Sequence, residues 1–222
     1  MRSLVIGASG GIGSALADEL EAKRRPVIRI GRGTIPKLDL EDEDSIAAAA
    51  AAIGPTLGLI IDATGFLHNE TFRPERSWRQ LDPKHLAYSF AINAIGPALI
   101  MKHFLPLLAR DERAVFVTLS ARVGSISDNH LGGWFSYRAS KAALNQLVRT
   151  AAIELARTCK EAVCVALHPG TVSTRLSEPF AKAGLEVQTP SQAAARLVAV
   201  IDALTAQQTG LLFDHRGVQI PF

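Results

Sequence analysis

The fold of this chain is decided by the stretch LVIGASGGIG, residues 4–13. It starts with a short apolar run, which is typical of a buried strand, and continues into a turn rich in glycine. The following segment, Ile12–Arg24, carries apolar residues at helical spacing. Glycine lets a backbone turn sharply and approach an anion without a Cβ clash, and a helix N-terminus favours negative charge. The stretch therefore predicts a strand, turn and helix that hold the diphosphate of a dinucleotide, with these binding residues: Gly7, Ser9, Gly10, Gly11, Ile12 and Gly13.

The same turn also fits a second motif, Gly-x-Ser-x-Gly, through Gly7, Ser9 and Gly11. This motif is the nucleophile elbow of α/β-hydrolases, in which the serine attacks an ester. An elbow serine needs an oxyanion-hole loop from an earlier strand, whereas this turn follows the first strand. Its position therefore favours the dinucleotide interpretation.

Apolar, β-branched runs alternate with helical patterns along the rest of the chain. The predicted strands are Leu4–Ile6, Val27–Ile30, Leu57–Asp62, Ala114–Ser120, Val163–His168 and Leu211–Phe213, and a further short one precedes Asp39. The predicted helices are Ile12–Arg24, Asp44–Ile53, Pro83–Leu108, Phe135–Thr158 and Ser191–Leu204, the third bent or shortened by Pro97 and Pro106. This alternation predicts a single α/β domain over residues 1–222, a doubly wound, Rossmann-like parallel sheet with helices on both faces.

The composition of the 222 residues is that of a globular protein, with 48% hydrophobic and 20% charged residues. The net charge of +3 is spread over short groups of both signs, which argues against a nucleic-acid partner. We expect no membrane span, because no apolar run comes near the roughly 20 residues required. The start is unlike a secretory signal, so we expect a cytoplasmic protein. Cys159 and Cys164, even with His168, form no convincing metal site, and we expect buried thiols and no metal.

The end of the second predicted strand indicates which dinucleotide binds. An acidic residue there would hold the ribose hydroxyls of NAD, whereas an arginine can pair with the 2′-phosphate of NADP. The chain has Gly31-Arg32-Gly33 at this point, without an acid. Arg32 therefore favours NADP, with NAD as the alternative.

Tyr137 and Lys141 form the predicted catalytic pair. They lie four residues apart in a helical pattern, so both side chains share one helix face. A phenol with a pKa near 10 is a poor base at neutral pH, and a nearby ammonium is expected to lower that pKa. Such a tyrosine can exchange a proton with a carbonyl or alcohol oxygen while a hydride moves to or from the cofactor. The predicted substrate is accordingly a small carbonyl or alcohol.

The glycine turn, Asn93, Tyr137, Lys141 and the run HPGTVST at residues 168–174 together resemble the short-chain dehydrogenase/reductase family. The segments SARVGS at 120–125 and GGWFSYRASK at 132–141 look like its C-factor and carbonyl-reductase-like subgroup. The resemblance implies that Asn93 supports a water-linked proton relay to Lys141, which together with Tyr137 also contacts the cofactor. The further cofactor contacts it implies are Asp39, Leu40, Ala63, Thr64, Gly65, Pro169, Gly170, Val172 and Thr174. It also implies a substrate lid containing Pro179, Phe180 and Leu185, and a homodimer or homotetramer.

One position departs from the pattern of this family. The catalytic serine of the family falls in register with Ala121. The neighbouring Ser120 would point the other way by strand alternation, unless the strand end twists. Ser120, our candidate for the fourth catalytic residue, or Ser125 could supply the hydroxyl after a small backbone shift. If neither does, the alternative is a dinucleotide-binding sensor or signalling protein with little turnover.

Overall fold

A computed structural model describes residues 1–177 and 186–222 of this chain. The predicted lid residues Pro179, Phe180 and Leu185 lie outside the described residues. The centre of the fold is a seven-stranded sheet. Its strands are β1 (Arg2–Ile6), β2 (Val27–Ile30), β3 (Leu57–Asp62), β4 (Ala114–Leu119), β5 (Ala162–His168), β8 (Leu212–Asp214) and β9 (Gln219–Ile220). They lie in the order β2-β1-β3-β4-β5-β8-β9 and are parallel except for the last strand. Two short strands, β6 (Thr171–Val172) and β7 (Val187–Gln188), pair separately.

The predicted doubly wound fold and its six main strands are confirmed, with boundaries shifted by one or two residues at most. The further strand expected before Asp39 is reduced to one bridge between Gly31 and Lys37. The helices are α1 (Gly11–Ala22), α2 (Glu43–Ile53), α3 (Pro83–Phe90), α4 (Gly96–Phe104), α5 (Phe135–Thr158) and α6 (Pro190–Ala203).

The helices form two layers because the central strands are apolar on both faces. One core lies between the sheet and α2, α4 and α5, and includes Phe104, Phe116 and Leu144. The other lies between the sheet and α1 and α6, and includes Leu16, Val117 and Leu197. Burial on both sides therefore fixes the sheet as the middle layer.

The segment Pro83–Leu107 differs from two expectations. By length and composition alone it could cross a membrane, which we had not expected of any segment. It also forms two helices rather than one, since a π-helical turn at Ala91–Ile95 separates α3 from α4 just before Pro97. Both helices pack against α5. Ile100 and Phe104 are fully buried in the core, as in a core helix.

The strand order places a ligand crevice at one edge of the sheet. The chain leaves β1 toward β2 on one side and later returns to β3 on the other side. The turns after β1 and β3 therefore part at the carboxyl edge, where α/β sheets of this kind bind ligands.

Candidate active site

The glycine turn after β1 is built so that its backbone can lie close to other chain segments. Gly7 has φ +80°, and a Cβ atom added there would lie 3.2 Å from the backbone of Ala63 after β3. A Cβ atom at Gly13 would overlap the carbonyl oxygen of Gly7. The first turn of α1 contains no acidic side chain to compete for its N–H groups. This turn consequently fits an anionic ligand such as a diphosphate.

A cavity of about 240 Å³ opens at the carboxyl ends of β1 and β3. Among the predicted cofactor residues, it is lined by Gly7, Ser9, Gly10, Arg32, Asp39, Leu40, Ala63, Thr64 and Gly65. Among the lining residues that the sequence interpretation missed are Phe66, Tyr88 and Ile92, which form an apolar part of the wall. The four-residue spacing of Tyr88 and Ile92 was the available signal, because it places both on one helix face. The cavity thus combines a glycine-rich wall with an aromatic one.

Charged groups at one end of this cavity surround Asp39. Its carboxylate lies 3.1 Å from the Lys37 ammonium. The hydrogen bond from Lys37 holds the pKa of Asp39 below its ordinary value, and the charge of nearby Arg32 acts in the same direction. The backbone N–H of Asp39 donates to the hydroxyl of Ser45 in α2. Arg32 and Asp39 are thus brought to the same end of the cavity, as predicted for the adenosine side.

The segment after β5 contacts the glycine turn from the opposite side. A Cβ atom at Gly11 would lie 2.9 Å from Cγ2 of Thr174. Gly170 has φ +80°, and Val172 is buried in the pairing of β6 with β7. The amide of Gln188 donates to the carbonyl of Pro169 at 3.2 Å. Thr174, in the segment predicted to lie beside the nicotinamide, therefore packs directly against the glycine turn.

Tyr137 and Lys141 lie in the first two turns of α5. The Lys141 ammonium is buried and donates to the carbonyl of Leu119, at the end of β4, at 2.8 Å. Burial lowers the pKa of Lys141 to about 8, although the charge of Asp62 opposes that shift. Burial raises the pKa of Tyr137 to about 12. The expected lowering of the phenol pKa by the ammonium is therefore not found, because Lys141 is bonded to the strand end and desolvation dominates at Tyr137.

Asn93, in the π-helical turn, joins this pair to the cavity wall. Its amide exchanges two hydrogen bonds with the backbone of Phe66, at 2.7 and 2.8 Å, and donates to Ser140 of α5 at 3.1 Å. A Cβ atom at Gly65 would lie 3.6 Å from Nζ of Lys141 and 3.7 Å from Oδ1 of Asn93. The structure therefore brings Asn93 and Lys141, the two residues of the predicted relay, close to Gly65.

Ser120 has a different partner from the one predicted. Its hydroxyl donates to Oδ1 of Asn145 in α5 at 2.7 Å. Asn145 lies eight residues after Tyr137, which is about 12 Å along the helix axis. This bond connects the end of β4 to α5 through the Ser120 hydroxyl. The hydroxyl of Ser125, also buried, accepts the backbone N–H of Asp128 at 3.1 Å.

Comparisons with known proteins agree with this arrangement. A family model described as "Enoyl-(Acyl carrier protein) reductase" matches residues 7–206. The chain is 33% identical over 224 residues to 1-hydroxy-2-glutathionyl-2-methyl-3-butene dehydrogenase of Rhodococcus sp. (strain AD45), covering 96% of this chain and 95% of that protein. It is 34% identical over 143 residues to C-signal of Myxococcus xanthus, covering 64% of this chain and 81% of that protein. NADPH-bound carbonyl reductase from chicken fatty liver superposes with a TM-score of 0.87, at 26% identity over the full length of both chains.

Proposed function

Because the chain belongs to the short-chain dehydrogenase/reductase family of oxidoreductases, we propose that it transfers a hydride between NADP(H) and a small carbonyl or alcohol substrate. The observation that carries this proposal is the position of Tyr137 and Lys141. They lie at the carboxyl edge of the sheet, where Asn93 and Gly65 connect them to the wall of the glycine-lined cavity.

The residues of the cavity fit a dinucleotide. The glycine turn packs too closely against neighbouring chain segments to carry side chains, and the N-terminus of α1 would offer its N–H groups to a diphosphate. Asp39 and Leu40 would hold the adenine, Arg32 the 2′-phosphate, and Val172 with Thr174 the carboxamide. When bound, the nicotinamide supplies or accepts the hydride. NADP is supported by Arg32 at the cavity and by the NADPH-bound chicken enzyme.

The chain's own part of the reaction is the movement of a proton. With its pKa raised to about 12, Tyr137 holds its proton at neutral pH and is suited to donate it to a carbonyl oxygen that becomes an alcohol. Lys141 would return a proton to the phenol, and Asn93, whose Oδ1 lies near the same spot beside Gly65, would support that relay. Trp134 packs edge-on to Tyr137, with ring centroids 6.2 Å apart, and provides an apolar wall.

Replacing the phenol by Tyr137→Phe tests this function. NADPH oxidation with a panel of aldehydes and ketones is expected to fall by about 10³-fold, within the range for loss of a general acid. The NADPH dissociation constant, measured by fluorescence, should stay within twofold of wild type. Full activity in Tyr137→Phe would contradict the proposal.

The cofactor is tested by Arg32→Ala with both dinucleotides. Loss of one charged hydrogen bond should weaken NADPH binding by about tenfold and leave NADH binding within twofold. Equal losses for both dinucleotides would rule out pairing of Arg32 with the 2′-phosphate.

A second function, a dinucleotide-binding sensor or signal, is favoured by two specific observations. Ala121 stands where the catalytic serine is expected, and one relative carries the name C-signal. Tight NADPH binding without turnover on any substrate of the panel would favour this second function.

A further inference from the structure

The start of α5 depends on groups outside the helix. Trp134, the residue before the first turn, has φ 52° and ψ 42°, and an indole has no oxygen with which to accept N–H groups. Gly132 and Gly133 before it also have positive φ angles. The first N–H groups of a helix need acceptors from elsewhere. The turn that carries Tyr137 is therefore not stabilised by a local cap.

The missing acceptor is Glu75, from the long loop between β3 and α3. One carboxylate oxygen accepts the backbone N–H of Ser136 at 3.2 Å, and the other accepts the hydroxyl of Ser136. The backbone carbonyl of Glu75 accepts the N–H of Trp134. Glu75 is only 2% exposed, and Ser136 is fully buried. A carboxylate at this end of α5 also interacts favourably with the helix dipole.

The same carboxylate is held from its other side by α3. Nδ1 of His85 lies 3.2 Å from Oε1 of Glu75, and His85 is 4% exposed. The ring of Phe72, from the same loop as Glu75, stacks on His85 with centroids 5.0 Å apart. Glu75 therefore connects the loop, α3 and the first turn of α5 through one buried group.

We propose that Glu75 is a positioning residue for Tyr137, a role that rests on the function proposed above. Tyr137 directly follows Ser136, so a shift of Ser136 displaces the phenol from the substrate oxygen. Misplacing a reacting group by about 1 Å can cost about 10²-fold in rate. Glu75 would therefore affect the proton-transfer step while leaving the dinucleotide cavity, which it does not line, unchanged.

The variant Glu75→Gln tests this role. Glutamine keeps the size but has only one acceptor oxygen, so the donors from Ser136 and His85 are no longer all satisfied. We expect kcat for carbonyl reduction to fall about tenfold, with KM and Kd for NADPH within twofold of wild type. The solvent deuterium isotope effect on kcat should increase, because proton donation by Tyr137 becomes slower.

Two further variants separate positioning from general loss of stability. Thr209→Val removes a hydrogen bond that Thr209 accepts from the N–H of Cys164 at 2.9 Å, near the start of β5 and away from the site. It should lower Tm while leaving kcat and the isotope effect unchanged. Ser136→Ala should act through the same contact as Glu75→Gln, so the double variant should lose little more kcat than Glu75→Gln alone.

A folded Glu75→Gln protein with wild-type kcat would overturn the role of Glu75. The role would also be overturned if Thr209→Val, with the same loss of Tm as Glu75→Gln, lost as much kcat. Amide hydrogen exchange of residues 136–138 measures the stability of the first turn of α5 independently of enzymatic activity. Faster exchange in Glu75→Gln than in Thr209→Val would support the placement of α5 by Glu75 even in a protein without reductase activity. Equal exchange in the two variants would reject that placement, whatever the fate of the proposed function.

Discussion

The two halves of the site are built in different ways. The glycine turn is a continuous stretch, residues 7–13, whose backbone packs against itself and against Ala63. The catalytic half is assembled from side chains far apart in the sequence. Asn93 bonds to Phe66, Ser120 to Asn145, and Glu75 to Ser136.

This difference determines how each half responds to substitution. In the glycine turn, the limiting factor is space beside the backbone, so one added methyl group is enough to disrupt it. In the catalytic half, the limiting factor is hydrogen bonding between buried groups, and removing one partner leaves the other unsatisfied. We therefore expect abrupt failure in the first half and graded effects in the second.

The largest effect on dinucleotide binding is expected for Gly13→Ala, because the new Cβ would overlap the carbonyl oxygen of Gly7. The turn must shift, and we expect NADPH affinity to fall roughly 100-fold, or about 3 kcal/mol. Isothermal titration measures this loss directly. Gly33→Ala is the matched control, since a Cβ atom there meets nothing within 4 Å and binding should be unchanged. Similar affinities for the two variants would refute the view that space limits this half.

The next largest effect concerns which residue supplies the serine hydroxyl to the substrate oxygen. Comparison of Ala121→Ser with Ser120→Ala tests this. A hydroxyl restored at 121 adds a donor for the substrate oxygen, and we expect kcat to rise about tenfold, below the 10²–10³-fold value of a fully aligned donor. Ser120→Ala should keep kcat within twofold and cost about 1–2 kcal/mol of unfolding free energy, because Asn145 loses its buried partner. A loss of kcat near 10²-fold in Ser120→Ala would restore Ser120 to the catalytic set, and the same loss in Ser125→Ala would identify Ser125 as the donor.

The last prediction concerns stability rather than catalysis: the free energy of unfolding should depend on pH through Lys141. Its pKa is lowered from 10.5 to about 8 by burial, so between these values the unfolded chain binds more protons than the native one. Stability due to this group therefore rises from pH 8 to 10.5, by up to about 3 kcal/mol. Urea unfolding of wild type and Lys141→Met across this range measures the difference, because other titrating groups contribute to both. A parallel pH dependence in the two proteins would show that Lys141 is not desolvated.

Most of the fold was readable from local patterns. Strands such as β3 and β4 are apolar on both faces, and α5 was predicted over its full length. The division of Pro83–Leu108 into α3 and α4 was only partly foreseen: Pro97 and Pro106 predicted a bend, but no local pattern indicated a π-helical turn at Ala91–Ile95. The pKa of Tyr137 was predicted in the wrong direction. Spacing reveals a neighbouring charge but not that desolvation of the half-buried phenol outweighs it.

The sequence by itself determined the glycine turn and the Tyr137–Lys141 pair, because each depends on residues close together in the chain, and it determined the family through the order in which such short motifs follow one another. Only the tertiary structure decided that Ser120 bonds to Asn145, that Lys141 reaches Leu119, and that Glu75 caps α5. These contacts span between 22 and 61 residues of sequence. The partners meet because parallel strands bring their carboxyl ends to one edge of the sheet. The local spacing of residues does not indicate which side chains face each other at that edge.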